Sequence, residues 1–439
     1  MKMGDAFLDT QDILKVLTYI SGTIDQGVYL LRGFKPFLEN TEVQSHLISL
    51  VDRLNNDESA LFFTGKGAHL EDPLKSHIAS LTLPLPTENE LLKLLKQIYQ
   101  DLSQKNKIEI NISKKDLEVL ILNLKGLSLF EAKKILTMVM VEDGILSKND
   151  IQKVIESKKR LIEKEGVLEY YTPEESFADI ASLKGLKDWL KKRQYFIEKP
   201  DQARKMGLDF PKGILLLGVP GTGKSLCAKA VSQEWRLPLL RMDPAKLYSK
   251  YIGETESKFN KAMQISEKMS PLILWIDEIE KAFASSGDSD GGLSQRIIGS
   301  FLSWMQERKG DVFVIATAND ITKLPPEFLR KGRFDEIFFV DLPDQDSRKE
   351  ILKIHLKRRN LSYLNLELDE LAMLMEGFSG AEIEQVIISA LYSTLSDDVN
   401  ITHSVLEKEI TSTNPLSRTY GEKIQSLRNW AKTRTVSAN

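Results

Sequence analysis

The sequence predicts an α/β protein: a mostly parallel sheet with helices on its faces, helical at its C-terminal end, and preceded by a second region of α/β and helical character. Three observations predict it. Short apolar runs ending in glycine or acidic residues alternate with helical patterns. The stretch "GVPGTGKS", Gly218 to Ser225, lies between one such run and a helix, almost halfway along 439 residues. The two halves also present similar elements in a similar order. One core rarely serves more than about 250–300 residues, so several domains are expected.

The elements follow in order. Ile13, Val16, Leu17, Ile20 and Ile24 recur at helical spacing and form the buried stripe of a first helix. Short strands are expected at "GVYLLRG", at "ALFFTG" and at "IASLTL" over 78–83, with a helix between the first two. Thr87, with Glu88 and Glu90, opens an amphipathic helix in "PLPTENELLKLLKQIYQDL". Residues 114–158 read as helical, broken at Gly126 and around "EDGILS". The polar stretch "EGVLEYYTPEESFADIASL" reads as a linker. Beyond it, "GILLLG", "PLILWIDE", "VFVIATAN" and "EIFFVDLP" are four buried strands, and the chain is helical again after Ser347.

Aligning the halves sets "LEVLILNLKGLSLFEAKKI" beside "LDELAMLMEGFSGAEIEQV" without a gap, pairing Gly126 with Gly377, Ser128 with Ser379 and Glu131 with Glu382. The first half therefore reads as a duplicated unit that has lost its phosphate loop. The expected boundaries are 1–165 (α/β to about 105, helical to about 165), 166–346 and 347–439.

Composition narrows the function. Lys and Arg number 60 against 63 Asp and Glu, a formal net charge of −3, and no basic tract has the density that nucleic-acid binding demands. The five histidines have no metal-ligand spacing, and the single Cys227 allows no intrachain disulfide. No apolar run reaches transmembrane length, and the first residues, with Asp5, Asp9 and Asp12, read as mature protein rather than a leader.

Gly218, Gly221 and Gly223 let backbone amides turn inward around phosphate oxygens, Lys224 reaches the β and γ phosphates, and the Ser225 hydroxyl can ligate magnesium. Asp277 and Glu278 end the "LILWI" run, where Asp277 would hold the metal or its water and Glu278 would polarise the attacking water. Asn319 ends the next strand, placed to bond water and the γ phosphate. Arg330 and Arg333 in "FLRKGRFDE" read equally well as transition-state cations or as surface ion pairs.

Residues 177–388 resemble the AAA family of hexameric ATPases, on "FADIASLKGLK", "GVPGTGKS", "LILWIDEIEKAF", "ATAND", "LRKGRFD" and "GFSGAEIE" in family order. The first half, with "VYLLRGFKPFLEN" and "LTLPLPT", is similar to AAA-domain proteins encoded in plastid and cyanobacterial genomes. The resemblance implies a P-loop NTPase of AAA type with a C-terminal helical lid, preceded by a degenerate AAA-like α/β plus helical domain lacking a P-loop. It implies ATP and Mg²⁺ as cofactors, with nucleotide contacts at Val219, Pro220, Thr222 and Leu226, at Asp179 and Ile180, and at Gly380 and Ala381. It places Arg330 and Arg333 at a subunit boundary, Arg330 favoured as the arginine finger, and matches Tyr251, Ile252 and Gly253 to a pore loop gripping extended polypeptide. The second-sensor arginine of related families has no counterpart, Lys331 stands for the usual proline, and Glu382 stands for aspartate.

The expected function is an Mg-dependent ATP hydrolase in a homo-oligomeric ring of six that remodels a protein partner. The alternative is an ATP-gated regulatory scaffold in photosynthetic or carbon metabolism; nucleic-acid remodelling ranks below both. The expected compartment is a cytoplasm or a plastid stroma.

Overall fold

The computed structural model describes residues 12–22, 27–38, 40–56, 58–64, 74–79, 81, 83–104, 108–163, 166–247, 252–282, 293–330, 332–361, 366–395 and 401–439. They fall into two compact units, Met1–Pro84 and Leu85–Asn439.

In the first unit β1 (Val28–Arg32) and β2 (Ala60–Thr64) pair in parallel, Val28 beside Ala60. A parallel pair needs a crossover, which the helix Thr41–Asn56 supplies. Leu17 and Ile20 of the first helix are buried with Val43, Leu47 and Leu50, and Tyr29, Leu31, Leu61 and Phe63 turn to this cluster. Ile24 lies outside the described residues. The described residues of the strand expected over 78–83 join no strand: the chain makes a short turn of helix at Leu74–Ser76, and Leu81 and Leu83 are exposed. Pro84 and Pro86 follow directly and carry no N–H to donate to a ladder.

The second unit opens with four helices, Glu88–Ser103, Lys114–Leu124, Leu129–Asp143 and Asn149–Glu163, closed around Leu91, Leu95, Leu120, Leu136 and Val139. A short parallel pair, β3 (Glu109–Asn111) and β4 (Ile145–Ser147), joins two of their ends. Thr87 accepts from the backbone N–H of Glu90, and the Glu90 carboxylate accepts in return from the Thr87 N–H at 2.7 Å. Such caps are each worth about 1 kcal/mol.

The break at Gly126 has a steric cause as well as a conformational one. Its φ is +85°, and a Cβ there would stand 2.7 Å from the Cα of Met269. The turn therefore seats backbone against backbone beside the end of helix Ile252–Lys268. Two residues on, the Ser128 N–H donates to Glu131 at 2.9 Å; in the C-terminal helices the Ser379 N–H donates to Glu382 at 2.7 Å. Gly377 has φ +81°. The gapless sequence pairing is thus one local structure occurring twice.

Lys158 is buried in this region, its Nζ donating to the Lys125 carbonyl at 2.7 Å. Burial, with the charge of Lys125 nearby, pushes its pKa down to about 7. The unfolded chain keeps an ordinary lysine, so between about pH 7 and 10 it binds the extra proton and stability rises with pH. Below pH 7 the cost of holding the ammonium is present in full. Lys158→Met is therefore expected to flatten this slope, and the wild type should gain roughly 2–3 kcal/mol relative to the variant between pH 7 and pH 9. Equal shifts in melting temperature at both pH values would reject the assignment.

Among the described residues the central sheet has seven strands in the order β11-β10-β6-β9-β8-β7-β5. These are β5 (Leu168–Tyr171), β6 (Gly213–Gly218), β7 (Leu239–Met242), β8 (Leu272–Ile276), β9 (Val312–Ala318), β10 (Glu336–Val340) and β11 (Val436–Ser437). All pairings are parallel except β5 with β7. The sequence reading has only four of these strands. It takes β5 for linker and overlooks β7 and β11, all of four residues or fewer, too short to show a period.

Strand parity sorts the side chains. Leu215, Leu217, Leu272, Leu274, Ile276, Val312 and Val314 enter one core; Ile214, Leu216, Ile273, Trp275, Phe313 and Ile315 enter the other. The second core also takes Cys227, Ala228 and Val231 of helix Lys224–Trp235. Burial raises the Cys227 thiol to about 12, leaving it inert.

Helices Gln345–Arg358, Leu368–Leu374, Gly380–Leu395 and His403–Ser412 form a separate C-terminal core around Leu352, Leu371, Ile383 and Leu406. The last helix, Gly421–Ala431, returns to the sheet, where Arg428 Nε bonds both carboxylate oxygens of Asp341 at 2.9 and 3.0 Å. β11 then extends the sheet edge, and the Ala438 N–H donates to the Phe339 carbonyl at 3.0 Å.

Candidate nucleotide site

The site lies at the carboxyl ends of β6, β8 and β9, beside the point at β6 where the strand order reverses. Gly218 ends β6, with Val219 buried and Pro220 exposed. Thr222 Oγ1 donates back to the Val219 carbonyl at 2.8 Å, and Gly223, at φ +90°, leads into helix Lys224–Trp235. Gly221 also has φ +78°, and a Cβ there would stand 2.8 Å from Ser379 Oγ and 3.2 Å from Ala381 Cβ. The Ala381 N–H donates to the Gly221 carbonyl at 3.1 Å. Gly380 and Ala381 therefore lean directly on the loop, which links the C-terminal helices to its conformation.

Lys224 is 6% exposed, and its Nζ donates to the carbonyls of Gly218 and Val219 at 2.9 and 2.7 Å. Burial pushes its pKa down to about 8, with Glu280, Asp277 and Glu278 acting against that shift. Ser225 Oγ donates to Asp277 Oδ1 at 2.9 Å, joining the loop helix to the end of β8. Leu226 packs half-buried on the second core. Glu278 has φ +50°, a left-handed conformation that a non-glycine residue adopts only under constraint. Asn319 Nδ2 donates to Glu278 Oε1 at 3.1 Å, and Lys281 pairs with the other oxygen.

Two neighbours of this network escape a sequence reading. Thr317 is 2% exposed; its hydroxyl donates to Asp277 Oδ1 at 2.7 Å and accepts from the Glu278 N–H at 2.9 Å. Glu280 is 5% exposed, one oxygen accepting from the Asn319 N–H at 2.9 Å and the other without a partner among the described residues. Burial raises its pKa. The available signals were a hydroxyl inside an otherwise apolar strand and a third acid following Asp277 and Glu278.

Of the remaining residues, Ile180 enters the core shared with Cys227 and Ala228 of helix Lys224–Trp235. Asp179 and Ile180 close a short turn of helix; Asp179 accepts from the Ser176 N–H at 2.8 Å and pairs with Arg358 at 3.2 Å. Arg330 is exposed, and its side chain makes no hydrogen bond or ion pair among the described residues. Arg333 NH1 donates to the Leu302 carbonyl. Tyr251 and Lys331 lie outside the described residues, as does the stretch 285–292; Ile252 and Gly253 begin the helix Ile252–Lys268.

A glycine loop between β6 and its helix, an acidic pair directly after β8, an asparagine directly after β9 and a helical C-terminal domain touching the loop define an ATPase of the P-loop class. Residues 214–342 match the family model described as the ATPase family associated with various cellular activities (AAA), and 365–409 match the AAA+ lid domain. Residues 89–165 match the second domain of SpoVK-like AAA ATPases. The chain belongs to the AAA ATPase family. It is 38% identical to the AAA domain-containing protein ycf46 of Pyropia yezoensis, over 92% of this chain and 81% of that protein. The ycf46 protein of Guillardia theta is 37% identical over 92% of this chain and 78% of its own length. A proteasome-activating nucleotidase of Methanococcus maripaludis is 36% identical over 50% of this chain and 54% of its own. Among the described residues no helix is long and apolar enough to cross a membrane.

Proposed function

We propose that the protein is a magnesium-dependent ATP hydrolase that works as a homo-oligomeric ring, of six subunits, and remodels a protein partner. One observation carries the reading. The Ser225–Asp277 contact at 2.9 Å and the Asn319–Glu278 contact at 3.1 Å bring the loop, the acidic pair and the polar end of β9 together.

The donor set fits magnesium, which takes hard oxygen ligands and keeps several waters. Ser225 Oγ and the Asp277 carboxylate would hold it, and it would supply charge neutralisation on the phosphate oxygens. The backbone amides of Gly221 to Ser225 and the Lys224 ammonium cradle the triphosphate, while Asp179, Ile180, Gly380 and Ala381 bound the nucleoside end. Glu278 accepts the proton of the attacking water, and Asn319 orients both the carboxylate and that water. The constraint on the Glu278 backbone supports this role, since strained residues concentrate where a side chain must be aimed.

The ring reading rests on Arg330, an exposed cation with no partner among the described residues, which would complete the site of a neighbouring subunit together with Arg333. Arg330→Ala is expected to lose at least roughly tenfold in turnover with nucleotide binding retained. Mixed assemblies with Lys224→Ala subunits, which still carry Arg330, should recover part of it. No recovery in rings of matched assembly would reject action between subunits.

Partner remodelling is supported by the relatives, one of which is named for activating a proteasome. Tyr251, Ile252 and Gly253 are the segment we assign to gripping polypeptide. The helices of 88–163 and the unit before them read as a worn AAA copy, supported by the repeated glycine turn and cap, and serve assembly or partner contacts. A reducing cytoplasm or stroma suits a chain whose one cysteine is buried.

A further inference from the structure

We propose that Thr317 is a positioning residue that sets the metal-side carboxylate and the base-side backbone of the nucleotide site at once. The inference rests on the ATPase reading above.

Parity comes first. In β9, Phe313 and Ile315 enter the core shared with helix Lys224–Trp235, so Thr317, two residues further, points the same way. In β8, Ile273 and Trp275 enter that core, and Asp277 continues their row. The register pairs Trp275 with Ile315 and Ile276 with Ala316, so one more step sets Asp277 beside Thr317. Both then face the helix that carries Ser225.

A hydroxyl has one proton to donate and lone pairs to accept with, and Thr317 uses both functions. Its proton goes to Asp277 Oδ1 at 2.7 Å, while its oxygen accepts the Glu278 N–H at 2.9 Å. Asp277 Oδ1 receives a second hydroxyl from Ser225 at 2.9 Å, and Arg241 stands 3.8 Å from Oδ2. When Ser225 turns its oxygen to a cation, Thr317 remains as the donor that keeps the Asp277 carboxylate aimed. Through Glu278, the same oxygen holds the peptide that puts this residue at φ +50°. A side chain that hydrogen-bonds a metal-holding carboxylate commonly changes metal affinity or activity by about 10–100-fold when removed.

The test separates hydroxyl from shape. Thr317→Val keeps the volume and removes both hydrogen bonds; Thr317→Ser keeps both and loses a methyl group. Binding of a fluorescent ADP analogue is measured in EDTA and across a magnesium titration, beside the steady-state rate. Thr317→Val is expected to bind the analogue in EDTA within about twofold of wild type. It should need roughly tenfold more magnesium for the metal-dependent gain in affinity, and turn over at least tenfold more slowly. Thr317→Ser should restore the magnesium response.

A Val variant with the wild-type magnesium response would overturn the proposal. So would a Ser variant as impaired as Val, because packing would then explain the loss. If the Val variant does not fold, Thr317→Ala against Thr317→Ser gives the same comparison, differing by one oxygen. Should the wild type bind nucleotide but fail to hydrolyse it, the ATPase reading falls, while the magnesium titration still decides the role of Thr317.

Discussion

Glu278→Gln is expected to slow ATP hydrolysis by about 10²–10⁴-fold while leaving ATP bound within a few-fold of wild-type affinity. Glutamine keeps the size and the oxygen that Asn319 Nδ2 approaches at 3.1 Å, so the end of β9 stays where it is. What disappears is the ability to take a proton from water, together with the pairing to Lys281. On the proposed mechanism the carboxylate acts in the transition state and not in holding the triphosphate, so the loss belongs in kcat. Single-turnover hydrolysis and filter-retained ATP measure the two quantities separately. Wild-type turnover in this variant would remove Glu278 from the mechanism, whatever the binding result.

Lys224→Ala acts on the other quantity. The ammonium is buried and donates to two carbonyl oxygens of its own loop, at 2.9 and 2.7 Å, and burial lowers its pKa to about 8 against the nearby charges of Glu280, Asp277 and Glu278. A triphosphate offers full negative charge instead, and hydrogen bonds to charged groups are worth about 1.5–3 kcal/mol each. Alanine should therefore weaken nucleotide binding by roughly a hundredfold or more, below detection at ordinary concentrations. Calorimetric titration with ADP and with the non-hydrolysable triphosphate reads this directly, and a matched melting curve controls for folding. Unchanged affinity would mean the loop is not the phosphate site.

With these outcomes the two variants would divide the site into a binding half after β6 and a chemical half after β8 and β9. They also supply tools for finding the partner. Capture with Glu278→Gln in ATP, controlled by Lys224→Ala, compares a nucleotide-loaded form with an empty one in the same chain.

Much of this was legible in the residues. The phosphate loop is read from spacing because its glycines, lysine and serine must occupy fixed places relative to one strand end and one helix start. The acidic pair and Asn319 are legible for a similar reason: each ends an apolar run, and parallel strands deliver their carboxyl ends to one edge. The caps at Thr87, Ser128 and Ser379 involve contacts three residues apart, which sequence records directly; the close approach of Gly126 to Met269 is distant in the chain and is not recorded that way.

Less was legible where the deciding contact is distant. "IASLTL" reads like a strand, yet its described residues join no ladder before two prolines; "LLRM", "LEYY" and the final "VS" carry little pattern and become strands because a neighbour's edge accepts them. Arg330 and Arg333 look alike in sequence, but one is exposed and the other is tied to the Leu302 carbonyl.

Sequence alone determined the chemistry available: which groups can meet a phosphate, a metal and a water, since those demands are written in residue type and short spacing. Tertiary structure alone decided how those groups are aimed. Thr317 reaches Asp277 across 40 residues, and Ala381 reaches Gly221 across the gap between two cores. The physical reason is that a hydrogen bond's direction depends on the register of neighbouring strands and the packing of separate domains, and neither leaves a local trace in the chain.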